Sequence, residues 1–449
     1  MKKTVLKIVS LLLCLMIGLV AFACQPTPPD DGNLDEIDLN VDPQIEAELR
    51  IAVKNDKAEI DAMQKVMDAF QELYPNVTYD LVPITDYEAT IMGDVASGLV
   101  YDVMWAADAY VTLFADEDLL LNLDTFIEKS GFDKTLYYDS LIRLGQYKHS
   151  GSQYFLPRDY SKIVVYLNKK IFNQYGVALP ENDWTWEDYK ETCRALYDGG
   201  CNYQTNAQYV MEAEFDWRIQ MYGITSSFGG AFIGEDGSPV LDDNFQKGLT
   251  EMQDLIKNGY AKFSKTEQSN FTSGRVAMRW QVRPAGVSYS ATLGDDLAVV
   301  AFPTIESDVA GAVPSCGTGT TGYGIGKNSE NKALAWKFIE YMMSADGQEM
   351  LSQSGLIVPS LKSIAEAENA SWRNAIEGLD DDACDAFIYE GTTDVIPDYY
   401  DTLSSVYMSG YDSAVVNMLH SIFSDTSKSV RGAVNTCKLE INTFISQQG

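Results

Sequence analysis

Histidine and positive charge are scarce in this chain. Only His149 and His420 occur, and no CxxC or HExxH spacing is present. A zinc centre or a His-dependent catalytic site therefore has little to build on, and no metal, cofactor or catalytic residue is expected. The adjacent pairs Tyr137-Tyr138 and Tyr399-Tyr400 lack the spaced His or Glu that would complete an iron site. No GxxxxGK[ST] loop exists to cradle a nucleotide, so any ATP-driven step belongs to another chain. Basic residues number 33 against 65 acidic, a net charge of -32. Nucleic acid and anionic lipid are poor partners for such a surface. The cysteines beyond the first 23 residues are Cys24, Cys193, Cys201, Cys316, Cys384 and Cys437; with Cys24 set aside the remainder is odd and makes no disulfide framework. Cys193 and Cys201, flanking Gly199-Gly200, are placed to pair as readily as to stay free.

A second apolar span after residue 22 is also missing. What precedes that point is informative: Lys2, Lys3 and Lys7, then an apolar run over 8–22 too short for a comfortable membrane helix, then Ala21-Phe22-Ala23-Cys24. This reads as a secretory signal, with residues 1–23 removed. Removal takes three lysines and no acid, moving the net charge from -32 to -35. The segment resembles bacterial lipoprotein signals, which implies a lipid on Cys24 and the body held at the outer face of the membrane; Phe22 is bulkier than that pattern usually carries. Residues 24–47 combine Pro26, Pro28 and Pro29 with many acids and no Lys or Arg, and are expected to form an extended tether.

The body alternates strands with amphipathic helices. Leu49, Ile51 and Val53 alternate as a strand; Ile60, Met63, Val66, Phe70 and Leu73 recur at helical spacing until Pro75; Val77, Tyr79 and Leu81 alternate again. Strand, helix, strand units of this kind build parallel sheets covered by helices, so the fold class is α/β. A further helix is expected over 85–97 and a short buried strand over 101–105. Thr185 and Asp188 fit a capping box before a helix that ends at Gly199. Helices are also expected over 245–258 and 333–343, and 360–449 reads as mostly helical. No fixed-period repeat is present.

Eight short motifs then stand in a telling order: FQELYPNV at 70–77, ASG at 96–98 before Asp102-Val103, YFLP at 154–157 leading to YLNKKIF at 166–172, WTWEDY at 184–189, FGG at 228–230, FTSGRVAM at 271–278, Pro303, and GYGI at 322–325 before AWKF at 335–338. None is specific alone. In this order they resemble the sugar-binding family of extracellular solute-binding proteins of ABC importers, which includes maltose-binding protein, over about residues 48–365. Two departures stand out: Tyr101 replaces the usual proline before Asp102, and Arg279-Trp280-Gln281-Val282-Arg283-Pro284 falls where relatives commonly line the pocket.

The resemblance implies a two-lobe fold with the ligand in a cleft between lobes, hinge crossings, and closure on binding. It divides the chain into a first lobe of 48–157 plus 324–352 and a second of 158–323 plus 353–449. It also implies a carbohydrate ligand, permease subunits with a separate cytosolic ATPase, no catalysis, and a monomer.

Sugars present hydroxyls to carboxylates, amides and guanidinium groups, and C–H faces to flat rings. Residues of those types on loops after strands, or at the crossings, are the candidates. They are Asp56 after the first strand, Asp108 after the third, the Arg158-Asp159-Tyr160 cluster at the first crossing, Trp280 and Arg283 after the FTSGRVAM motif, and Trp217 and Tyr323. Each has a competing structural role: helix cap for Asp108, hinge ion pair for Arg158 with Asp159, core packing for Trp280. Two other functions fit the composition. One is a binding protein for a polyamine, peptide or anionic solute; the other is a secreted glycoside hydrolase working through two carboxylates.

Overall fold

The computed structural model describes residues 34–263, 270–398 and 402–448. The leader, Cys24 and the Tyr399-Tyr400 pair lie outside them.

The first expected unit is present. Strands Ala47–Lys54 and Val77–Ile84 run parallel, Ala47 opposite Val77, and helix Lys57–Leu73 connects them. Its buried stripe is Glu59, Ala62, Met63, Val66, Met67 and Phe70; of the expected stripe Met63, Val66 and Phe70 are buried, Ile60 is half-buried and Leu73 is exposed. Next to these lies Val103–Ala107, two residues later than expected. Asp102 anchors its start from a buried position, accepting from the Arg50 N–H at 2.9 Å and the Ser329 hydroxyl at 2.6 Å. Two strands from distant parts of the chain complete this five-stranded sheet, Thr321–Ile325 and Leu156–Pro157, both antiparallel to their neighbours.

The second lobe is built on a four-stranded sheet in the order Leu297–Ala301, Val164–Asn168, Val276–Gln281, Tyr209–Glu212. Successive side chains of a strand point to opposite faces. Val165 and Leu167 accordingly enter one apolar core, while Val164 and Tyr166 enter another. The capping box forms at helix Trp186–Asp198, with Thr185 and Asp188 each bonding the other's backbone N–H. Helices Asp243–Lys257 and Lys332–Met343 stand where the periodicity puts them. The tail contains long helices Ser405–Ser424 and Val430–Gln448, but also a short strand, Thr393–Val395, parallel to Ser315–Gly319.

Three segments join the lobes. The chain leaves the first sheet after Leu156–Pro157 and enters the second lobe at Ser161–Lys162, which pairs with Ser315–Gly319; it returns between Gly319 and Thr321. That return lies before Tyr323, so a lobe boundary at 323/324 would cut a strand of the first sheet. The third segment runs beside the first, with the Tyr160 N–H donating to the Val358 carbonyl at 2.8 Å.

Two further expectations change. The segment 34–47 is no free tether: Leu34 is buried, and Ile37, Leu39, Val41 and Ile45 pack on the first core. Lys129 holds it by donating to the carbonyls of Asp35 and Ile37 at 2.6 and 2.8 Å. Apolar residues interspersed among the acids supply the docking surface that a charge-based reading overlooks. Cys193 and Cys201 are both buried and both free.

Candidate functional site

A cleft of about 770 Å³ lies where the crossings leave the two sheets. The first lobe contributes strand ends and the loops after them: Lys54 and Asp56, then Trp105, Asp108 and Tyr110. The facing wall comes from Trp217 and Ile219 at the start of helix Arg218–Ser227, and from Pro284 and Val287 on helix Pro284–Leu293. Arg158, Asp159, Thr320 and Thr321 form the floor. Ligand sites at the carboxyl ends of strands are the rule for open α/β sheets.

Asp56 is exposed and caps helix Lys57–Leu73, its Oδ1 accepting from the Ala58 and Glu59 N–H groups at 3.0 and 3.2 Å. Its Oδ2 has no partner among the described residues and stays available at the cleft wall. Asp108 is buried; Oδ1 accepts from the Ala109 N–H at 2.8 Å and Oδ2 from the Thr320 N–H at 3.3 Å, tying this wall to the second crossing. Trp105 lies edge-on to Tyr87 and Tyr110, with ring centroids 5.0 and 6.1 Å away. Its buried Nε1 has no acceptor among the described residues. Such a donor is costly unless an acceptor reaches it, and a ligand hydroxyl is one that could.

The floor is held by a buried ion pair. Arg158 Nη1 and Nη2 donate to the two oxygens of Glu59 at 2.6 Å each, and the Tyr323 hydroxyl donates to Glu59 Oε1 at 2.5 Å. Burial alone would lower the Arg158 guanidinium, but Glu59, Tyr323 and Asp159 together outweigh it and hold the group above its ordinary value. Asp159 accepts from the Thr321 N–H at 2.7 Å and the Thr321 hydroxyl at 2.8 Å. Burial keeps its carboxyl above the usual range, against the opposing pull of Arg158. The two crossings are thus locked to each other and to the helix that Asp56 caps.

Of the nine candidates, Asp56, Asp108, Arg158, Asp159 and Trp217 line the cleft; Tyr160, Tyr323, Trp280 and Arg283 do not. Tyr160 points into the second lobe, its hydroxyl donating to both oxygens of Asp394 at 2.9 Å. Tyr323 lies behind the floor on Glu59. Trp280 is fully buried, packed against Trp186, Tyr189, Phe215 and Phe302, so its ring is core and not a ligand platform. Arg283 is buried as well, its guanidinium over the rings of Trp372 and Phe387 and donating to the Trp372 carbonyl. Burial lowers it to about 10. Both arginines flanking Trp280 are buried, Arg279 in ion pairs with Glu212 and Glu214 at 2.9 and 2.8 Å.

Glu59, Trp105 and Tyr110 are the residues that motif reasoning passed over. A signal existed for each. Glu59 is an acid on the apolar stripe of its helix, three and four residues before Ala62 and Met63; Trp105 lies in a buried strand; Tyr110 follows Asp108 by two.

The profile of a family described as bacterial extracellular solute-binding protein matches residues 56–349. An arabinooligosaccharide-binding protein of Halalkalibacterium halodurans is 23% identical over 299 residues, covering 63% of each chain. Among solved structures, the GacH receptor of Streptomyces glaucescens, studied unliganded and with acarbose, superposes with a TM-score of 0.70 at 17% identity, covering 90% of this chain and 99% of that one. UgpB from Mycobacterium tuberculosis, in complex with glycerophosphocholine, superposes with a TM-score of 0.72 at 20% identity, covering 89% and 99%. At these identities the structural likeness speaks to the fold.

Proposed function

Because this chain belongs to the bacterial extracellular solute-binding protein family, we propose that it is the solute-binding subunit of an ABC importer, capturing a carbohydrate between its lobes and delivering it to a membrane permease. The observation that carries this reading is the pairing of aromatic and carboxylate groups in one cleft. Trp105 and Tyr110 stand on one wall with Asp56 and Asp108, and Trp217 stands on the other. Flat rings suit the C–H faces of a sugar, and the carboxylates suit its hydroxyls.

The floor supports this role in a second way. Asp159 links the first crossing to the second, and Glu59 links the crossing to a helix whose cap lines the cleft. A ligand bridging the walls acts on the same elements that set the angle between the lobes. The ligand names of the relatives are compatible with an oligosaccharide. The glycerophosphocholine of UgpB supports the second reading, a non-sugar solute, for which Lys54 near the Trp105 ring at 5.9 Å offers a cation for a phosphate. We further propose that Cys24 carries a lipid holding the chain at the outer membrane face and that the protein acts as a monomer. Radiolabelled palmitate incorporation into Cys24, lost in Cys24→Ala, tests the anchor.

Isothermal titration against mono- and oligosaccharides, with glycerophosphocholine and spermidine alongside, tests the ligand class. Saturable binding of a sugar supports the carbohydrate assignment. Binding of glycerophosphocholine alone replaces it with the second reading.

A further inference from the structure

A second cavity, about 430 Å³, is bounded in part by Tyr110 of the main cleft. Tyr110 lines both spaces, and Arg218, next in sequence to Trp217 of the main cleft, lines this one. One wall is first-lobe, Met92 and Leu113 with Glu88; the other is helix Ser405–Ser424 of the second lobe. Ser405, Ser409 and Ser413 recur on that helix at intervals of four, which puts them on one face, toward the cavity they line.

The lining has a definite chemistry. The hydroxyls of the three serines make no hydrogen bond among the described residues, and Glu88 has neither ion pair nor hydrogen bond there. The cationic group is already engaged: Arg218 Nε lies 2.8 Å from Asp412 Oδ1, and its Nη2 donates to Asp412 Oδ2 at 3.1 Å. Met92, Leu113 and the Tyr110 ring supply apolar surface between these groups. Open hydroxyls and a carboxylate around an aromatic face match a polyhydroxylated ring better than a phosphate, which would meet Glu88, or an apolar side chain, which would leave the polar groups unpaired.

We propose that this cavity is the distal part of the ligand site, taking an outer glycosyl unit of an extended oligosaccharide whose first units occupy the main cleft, so that helix Ser405–Ser424 sets the preferred chain length. The inference rests on the carbohydrate reading. The main cleft alone falls within the range of an ordinary small-molecule site, and the second cavity is what extends it along one direction.

The test is a calorimetric series of linear arabinan and maltodextrin fragments, from two to six units, on the wild-type chain and on Ser409→Trp, which fills the cavity from an exposed helix position. Wild type should gain affinity with length, and Ser409→Trp should lose about tenfold for the longest fragment it binds while holding the shortest within about twofold. Circular dichroism and the retained short-fragment affinity report that the variant is folded. Length-independent affinity, or an unchanged long-fragment affinity in Ser409→Trp, overturns the inference and leaves carbohydrate binding intact. Binding of no sugar of any length overturns both.

Discussion

Two tryptophans with similar sequence credentials stand in opposite environments. Trp217 is half-buried at the cleft wall, whereas Trp280 is fully enclosed by aromatic side chains. Trp217→Ala should weaken ligand binding by about 1–3 kcal/mol and leave the far-ultraviolet circular dichroism unchanged. Trp280→Ala should instead lower unfolding stability by about 3–5 kcal/mol in denaturant titrations, since it empties a packed core. The buried Arg158–Glu59 pair supplies a third expectation at this scale. Arg158→Met leaves the Glu59 carboxylate buried without its counter-charge and should destabilise by about 3–5 kcal/mol, and adding Glu59→Met should recover much of the loss. A single and a double variant of equal stability would show that the pair does not act as a unit. Individual charged and aromatic side chains are where the sequence was least legible. Arg279 and Arg283 flank Trp280, and each finds its partner far along the chain, Glu212 with Glu214 for one and Trp372 for the other. Local spacing carries no information about such partners.

Elements were far more legible, because hydrophobic period and capping chemistry are local. The helix after Asp56, the capping box at Thr185 and the parallel pair of first strands all follow from patterns contained in a single helix or one strand, helix, strand unit. What escaped was pairing between distant segments: the Thr393–Val395 strand is three residues long and gains its definition from Ser315–Gly319. Glycines mark two places where elements approach too closely for any side chain. A Cβ on Gly223 would stand 2.6 Å from the backbone N of Gly317, where helix Arg218–Ser227 lies on strand Ser315–Gly319. One on Gly322 would meet the Leu156 carbonyl oxygen, between the two crossing strands. Gly223→Val should therefore destabilise by about 1–3 kcal/mol or more through overpacking, read as a shifted denaturation midpoint with an unchanged slope. A neutral outcome would mean that the helix can lift off the strand without loss.

At the scale of the whole molecule the two-lobe architecture was visible in the order of eight weak motifs, while the position of the cleft residues was visible only in part. Of the loops after strands, two bring Asp56 and Asp108 to the cleft wall. The rings beside them in the cleft, Trp105 and Tyr110, belong to the middle of a strand and a short helical turn that no motif singled out. The acidic stretch at 34–47 shows the converse error, since its composition argued for a tether and its apolar residues dock it on the first lobe. Closure of the lobes is a further expectation. Small-angle scattering should show a smaller radius of gyration with a saturating ligand than without, and Asp159→Ala, which releases the two crossings from each other, should reduce that difference.

The central claim is that this cleft takes a carbohydrate, and a thermal-shift comparison tests it most directly. The purified chain and its Trp217→Ala variant would be heated with arabinan and maltodextrin fragments, glycerophosphocholine and spermidine in separate wells. A ligand at about 100 times its dissociation constant should add about 2.7 kcal/mol of stability to the folded state. The account predicts a raised melting temperature with a sugar in the wild-type chain and a smaller rise in the variant. A rise with glycerophosphocholine or spermidine and none with any sugar would contradict it.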